Sequence, residues 1–298
     1  METILHPSEV RLNGSSKKKR QLFRNPVLQE SFDHDGYVVI DFLNPDEVDA
    51  LTEAYNNLQG DLGTPAFAST VMSYDAEYRL KVSAIIENNF ARAINETLQD
   101  ARFFWGNFNI KYPRNNIGAV PLHQDHSFLD ERLFQTLGFW VPLVNTTPEN
   151  GALQVIPGSH TLLKQLRCGG RPFPYATYQQ TLLEQFGKQL LMKAGQAYIG
   201  SPALFHASPP NVSAQPRIVA AGLAGPSESS LIYCHYHEVN NTGMAEIFEV
   251  DHSYYVTAPL FSKPDIGKYI LSEIIRVDKS LTDIESIIEA LNDFSITK

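Results

Sequence analysis

From Phe103 onward the chain breaks into short runs rich in aromatic and β-branched residues, each closed by Pro, Gly or Asn, and this spacing constrains the fold more than any other feature. Runs at 103–112, 122–126, 133–144, 152–157, 190–199, 203–206, 217–225 and 231–238 read as strands. Many short strands with turn residues between them build a sandwich, jelly roll or barrel, because that closes most of the edges such strands would expose. Residues 161–189 interrupt the series; so long a connection on a rigid scaffold predicts a binding wall.

The chain before this region reads differently. Residues 37–43 form a strand, and Asn44 then caps a helix with Pro45 at its first position, acidic residues in its first turn, and Val48, Leu51 and Tyr55 on one face. Residues 65–80 show no clean period and predict an irregular wall or lid, whereas 84–98 reads as helix. After Pro264 the pattern turns helical again, with Thr282 and Glu285 forming a capping box. We expect one β-rich domain over 1–298, with helices before and after the core, a flexible tail over 1–28 and a helical segment over 265–298.

Composition narrows the function classes. No apolar run approaches the roughly 18 residues needed to span a bilayer, and the basic start lacks an apolar stretch after it, so neither a membrane span nor a secretory signal is expected. The reading is a cytoplasmic protein. Cys168 and Cys234 are too few for a disulfide framework and read as bystanders in a reduced compartment. A net charge of -9 repels a phosphate backbone, which argues against nucleic acid as a partner. Lys17, Lys18, Lys19 and Arg20 read as a solvated tail. Nothing here excludes a homodimer.

Within 121–130, "PLHQDHSFLD", three potential metal ligands crowd together. If 122–126 is a strand, alternation puts His123 and Asp125 on one face and His126 on the other. A third ligand must come from elsewhere, and His206, at the end of an apolar run, is the best placed. Two His and one carboxylate suit a non-haem Fe(II) oxygenase, although zinc uses the same ligand types. Arg217 follows eleven positions after His206, at the start of the next strand, and is expected beside the metal-bearing strand. A guanidinium there can grip the far carboxylate of 2-oxoglutarate, a requirement that a zinc hydrolase lacks.

Three stretches together resemble the phytanoyl-CoA dioxygenase-like family of Fe(II)/2-oxoglutarate-dependent oxygenases: His123-Gln124-Asp125, "ENGALQVIPGSH" from Glu149 to His160, and the run from His206 through Ser208, Asn211 and Ser213 to Arg217. "DHDGYVVIDFLNPDEVDAL" looks like the segment that precedes the core in that family. The resemblance implies an α+β fold with a double-stranded β-helix (jelly-roll, cupin-like) core flanked by α-helices. It also implies iron ligation by His123, Asp125 and His206, binding of the distal 2-oxoglutarate carboxylate by Arg217, and Ser208 and Trp140 near the cosubstrate. Fe(II), 2-oxoglutarate and O2 are then the expected cofactors, with a small organic molecule as substrate. Hydroxylation is the default outcome because Asp125 is present.

Some positions stay outside that set. Asn107, Asn109 and Lys111 share one face of their strand, and Asn109 or Lys111 is expected to touch 2-oxoglutarate or substrate. Asn211 and Ser213 should cap backbone groups between His206 and Arg217. His160 reads as structural, and His235 with His237 as a chance pair. A binding protein that keeps the pocket without turnover, and a zinc hydrolase on a similar barrel, are the alternatives, and the Arg217 spacing counts against both. The aromatic and serine-rich segments 65–80, 161–189 and 233–255 should wall a mostly apolar substrate, as in specialised-metabolite biosynthesis.

Overall fold

A computed structural model describes residues 19–296 apart from 59, 61, 63–65, 115, 164 and 278–282. In chain order the elements are α1 (Pro26–Asp35), β1 (Tyr37–Asp41), α2 (Pro45–Asn57), β2 (Phe67–Ser69), α3 (Ala76–Thr97), β3 (Ala101–Lys111), β4 (Val120–His123), β5 (Leu137–Pro142) and β6 (Gln154–Val155). They continue with α4 (Gln179–Phe186), β7 (Lys188–Gln189), β8 (Gln196–Gly200), β9 (His206–Ser208), β10 (Arg217–Pro226), β11 (Leu231–Val239), β12 (Thr242–Val250), α5 (His252–Thr257), β13 (Ile270–Arg276) and α6 (Ile284–Ile296).

Three antiparallel sheets organise them: a six-stranded sheet β1-β8-β5-β10-β3-β2, a four-stranded sheet β4-β9-β6-β7, and a three-stranded sheet β11-β12-β13. The first two are the sheets of the jelly-roll core, and helices pack around them, as the sequence predicts. Asn44 makes its capping box with Glu47, and Val48 and Leu51 are buried beneath it.

Helix α3 backs the six-stranded sheet. Its buried residues Val82, Ile86, Phe90 and Ile94 recur every four positions, so one stripe meets Phe108, Ile110, Phe139 and Val141. Each such side chain contributes about 1.5–3 kcal/mol by leaving water. Gly106 allows the close approach, since a Cβ there would meet the Ile86 side chain at 2.8 Å.

Several expectations need correction. Residues 19–28 are not tail: Leu22 and Phe23 are 0% and 2% exposed, α1 starts at Pro26, and Arg20 pairs with Glu228 at 2.9 Å. The segment from 265 is not wholly helical, because β13 adds an edge strand to β12 before α6. Its residues alternate too weakly in burial to stand out as a strand. Thr282 lies outside the described residues; near the start of α6, Asp283 accepts a hydrogen bond from the Ser286 N–H at 2.8 Å. Helix α3 begins eight residues earlier than the pattern predicts, capped by Asp75 on Glu77 and Tyr78. Among the described residues, no helix is long and apolar enough to cross a membrane.

Candidate active site

A cavity of about 590 Å³ is lined by residues of both core sheets, among them Asn107, Asn109, Trp140, Arg217, His123, His206 and Ser208. The four-stranded sheet supplies the two histidines: His123 ends β4, His206 opens β9, and they are direct partners across that pair. Their rings lie 4.1 Å apart between centroids. Asp125 is reached by a different route from the one alternation suggests. β4 stops at His123, and the Asp125 N–H donates to the Pro202 carbonyl at 2.9 Å, which turns its carboxylate back toward the histidines.

The carboxylate stands 3.6 Å from His123 Nε2 and 3.9 Å from His206 Nε2. One ligand atom from each of these residues lies within 4.8 Å of the others, and they form the sole such metal-ligating group among the described residues. His123 Nδ1 lies 2.8 Å from the Pro121 carbonyl and His206 Nδ1 2.9 Å from that of Leu204. A carbonyl only accepts, so both Nδ1 atoms carry the proton and both Nε2 lone pairs face the carboxylate. This donor set fits a divalent metal with one face left open.

Electrostatics agree. Burial pushes the Asp125 carboxyl up, but the imidazoles of His206 and His123 outweigh it and hold Asp125 well below the usual range. Burial, then the neighbouring His123, pushes His206 down to about 4. Burial lowers His123 too, but its contact with Asp125 prevails and raises it. His126 is outside the group. It lines the cavity among Phe128, 4.1 Å away, and Tyr255, stacked at 20°, and burial pushes it down to about 4, so its ring is neutral.

Arg217 is only 1% exposed. It does not lie beside the His206 strand, as its spacing suggests: β9 pairs with β4 and β6, whereas β10 belongs to the six-stranded sheet, so Arg217 enters the cavity from the facing layer. Its Nη1 donates to the Gly151 carbonyl at 2.6 Å, and its buried Nε has no protein partner. The guanidinium sits 5.1 Å over the Trp140 ring, which orients it. A buried cation with donors to spare fits a carboxylate.

Lys111 is placed differently from its strand neighbour Asn109. It does not line the cavity, and its ammonium donates to the carbonyls of Ser208, at 2.8 Å, and Pro209. Burial and the nearby Arg217 push it down to about 7. Asn107 and Asn109 do line the cavity, joined by a 2.9 Å hydrogen bond. Asn211 donates to the carbonyls of Lys111 and Gln215, the expected capping role. His160 Nε2 contacts the Asp33 carbonyl at 3.2 Å, and His160 belongs neither to the metal group nor to the cavity lining.

Two roles escaped the sequence. Arg167, in the irregular 161–189 stretch, donates from Nε to the Asp125 carbonyl at 2.6 Å and pairs with Glu131, also at 2.6 Å. No period or motif singles it out. Gly151 adopts φ +80°, and a Cβ there would collide with the Pro209 carbonyl, so the carbonyl that anchors Arg217 depends on glycine.

Residues 32–219, more than half of the chain, match the family model described as Phytanoyl-CoA dioxygenase (PhyH). A curated relative, "Phytanoyl-CoA dioxygenase domain-containing protein 1" of Bos taurus, is 53% identical over 45 residues, which is 15% of this chain and 16% of that protein. Among solved structures, EvdO2 from Micromonospora carbonacea var. aurantiaca, complexed with 2-oxoglutarate, is 20% identical with a TM-score of 0.51, covering 71% of this chain and 95% of that one. The non-heme alpha ketoglutarate dependent carbocyclase SnoK from nogalamycin biosynthesis is 18% identical with a TM-score of 0.50, covering 70% and 86%. At these identities the likeness speaks to the fold, whereas the family match rests on sequence. The chain belongs to the phytanoyl-CoA dioxygenase family of Fe(II)- and 2-oxoglutarate-dependent oxygenases.

Proposed function

We propose that this chain oxidises a small, mostly apolar organic molecule, by hydroxylation as the default, and that it works in specialised metabolism. The observation that carries this reading is the juxtaposition, in one cavity, of the His123, Asp125 and His206 group with the buried Arg217. A divalent metal and a dicarboxylate are the pair of ligands those two features fit.

In this reading Nε2 of His123, Nε2 of His206 and the Asp125 carboxylate hold Fe(II). Iron bound there with 2-oxoglutarate and O2 supplies oxidative decarboxylation of the cosubstrate to succinate and CO2, together with the power to abstract hydrogen from carbon. Arg217 grips the distal carboxylate of 2-oxoglutarate, Trp140 keeps the guanidinium in plane, and Ser208 borders the same space. Segments 65–80, 161–189 and 233–255 bring Phe67, Met72, Pro172 and Tyr255 to the cavity, Leu260 and Phe261 join them, and such a wall excludes water and favours an apolar substrate. The carbocyclase SnoK is a natural-product enzyme of similar fold, and this supports the metabolic setting as far as fold can.

The test is succinate release from 2-oxoglutarate with Fe(II), ascorbate and O2 over a panel of small aromatic and other mostly apolar compounds. At least one compound should stimulate release in the wild type and none in His123→Ala or Asp125→Ala. Undiminished stimulation in either variant would overturn the ligand assignment; hydrolysis supported by zinc instead would overturn the reaction class.

A further inference from the structure

The chain holds two cysteines, 66 positions apart, and the fold brings them into contact. Cys168 lies in the 161–189 connection and Cys234 in the middle of β11, and their Sγ atoms are 2.8 Å apart. A disulfide bond needs about 2.0 Å, so only a small approach separates contact from bonding. The backbones are already in register: the Gly169 N–H donates to the Cys234 carbonyl at 3.2 Å, and Gly169 pairs with His235 in a parallel bridge. Both cysteines are buried, in an apolar cluster with Leu166, Ile232, Ala245 and Ile247. No third ligand completes a metal group there among the described residues.

We propose that Cys168 and Cys234 are a redox site, forming a reversible disulfide that clamps one wall of the substrate cavity to β11. Cys168 and the four residues that follow it line the cavity, so a small oxidant in that space stands against the cysteine pair. Hydrogen peroxide serves as the oxidant. Cys168 attacks one peroxide oxygen as thiolate, the O–O bond breaks, one water leaves and a sulfenic acid remains. Cys234 then attacks that sulfur and displaces the second water, giving the S–S bond. Two thiols lose two electrons and two protons, and one peroxide becomes two waters.

The clamp acts where it matters. The residue next to Cys168 is Arg167, whose guanidinium holds the Asp125 carbonyl, and the Ser127 N–H donates to the Arg167 carbonyl at 2.9 Å. Tying Cys168 to β11 therefore fixes the wall and the support of Asp125 together. The pairing does not depend on the oxygenase reading, since it is scored without turnover.

The experiment compares the full-length reduced protein with Cys168→Ser and Cys234→Ser, each treated with hydrogen peroxide in the presence of a metal chelator. In the wild type both thiols should disappear together, and non-reducing peptide mapping should find the segments of Cys168 and Cys234 joined within one chain. A thiol reductant should restore both. The melting temperature of the oxidised wild type should rise by roughly 5 °C or more, with no such rise in either variant. Oxidation of each cysteine separately to sulfinic acid, or a disulfide-linked dimer, would overturn the pairing. A joined pair with an unchanged melting temperature would overturn the clamp.

Discussion

Lys111 and Arg217 are direct partners across the β3–β10 pair, 0% and 1% exposed, and among the described residues neither forms an ion pair with a carboxylate. Holding two like charges side by side out of water costs several kcal/mol per ion, and the cost is tolerable where an anion completes the arrangement. Lys111 spends its donors on backbone carbonyls, so it braces the segment carrying Ser208, while Arg217 retains a buried Nε without a partner. The two side chains have divided the work: one holds the wall and the other faces the ligand.

Arg217→Met should therefore raise the KM for 2-oxoglutarate by roughly 10- to 100-fold, the worth of a charge-assisted pair at about 1.5–3 kcal/mol, and leave the KM of the organic substrate near its wild-type value. Arg217→Lys should recover part of the loss, because an ammonium supplies charge without the planar fork. Steady-state kinetics with the two substrates varied in turn makes the comparison. Equal effects on both KM values would point to a general packing defect instead.

Lys111 ties stability to pH. Its ordinary value of 10.5 is lowered to about 7 by burial and then by Arg217, so between those limits the unfolded chain binds a proton that the folded chain does not. Stability must then rise as pH increases from about 7 toward 10, by at most about 1.4 kcal/mol per pH unit, and the gain is lost again as pH falls from about 10 back to 7. The carbonyls of Ser208 and Pro209 favour the charged form and reduce the slope. Urea midpoints at pH 7 and pH 9 should differ more in the wild type than in Lys111→Met; equal differences would show that Lys111 stays charged throughout.

Arg167 positions Asp125 through its backbone. Arg167→Met removes the 2.6 Å bond to the Asp125 carbonyl and leaves Glu131, 15% exposed in its side chain, without its cation. Metal affinity should fall by about 10- to 100-fold, as is usual when the groups that orient a ligand are lost. Lys at the same position can meet Glu131 but has only one donor nitrogen, which cannot also reach the Asp125 carbonyl as Nε does, so it should restore stability more than metal affinity. Titration with Fe(II) or a spectroscopic surrogate, set beside the melting temperature, separates the two. Wild-type affinity in the Met variant would leave Arg167 a purely structural residue.

How much of this the sequence contained depends on how local each feature is. His123 and Asp125 were legible as a pair, yet the alternation that groups them is not what aligns them: the strand ends at His123, and the Asp125 bond to Pro202 is a contact between distant segments. Arg217 was legible from its spacing to His206, but that spacing carries no information about which sheet a strand joins, and the two residues occupy different layers. For Lys111, strand periodicity gives the face of the side chain and not where its long stem ends, which is on the Ser208 and Pro209 carbonyls. Arg167 and the Cys168–Cys234 contact lie in or against a connection without period, where only the fold decides what meets what. Strand β13 and the packed arm around Leu22 and Phe23 were missed for a related reason: an exposed edge strand and a short arm with two buried residues have little pattern of their own.

His126 separates ligand from wall most sharply. It is the nearest imidazole in sequence to Asp125, yet it sits with Phe128, Tyr255 and Phe261, and its buried Nε2 has no protein partner. His126→Phe preserves a flat ring in an aromatic setting, so the protein should still bind one metal per chain and still need Asp125 and His206 to do so. What should change is the organic substrate: its KM or the site of its oxidation, by a few-fold to roughly 100-fold if a substrate group meets that nitrogen. Metal content by elemental analysis and product analysis by mass spectrometry give the two answers. Loss of the metal in His126→Phe would return His126 to the ligand set, and the loop after β4 would then have to turn differently from the way it does here.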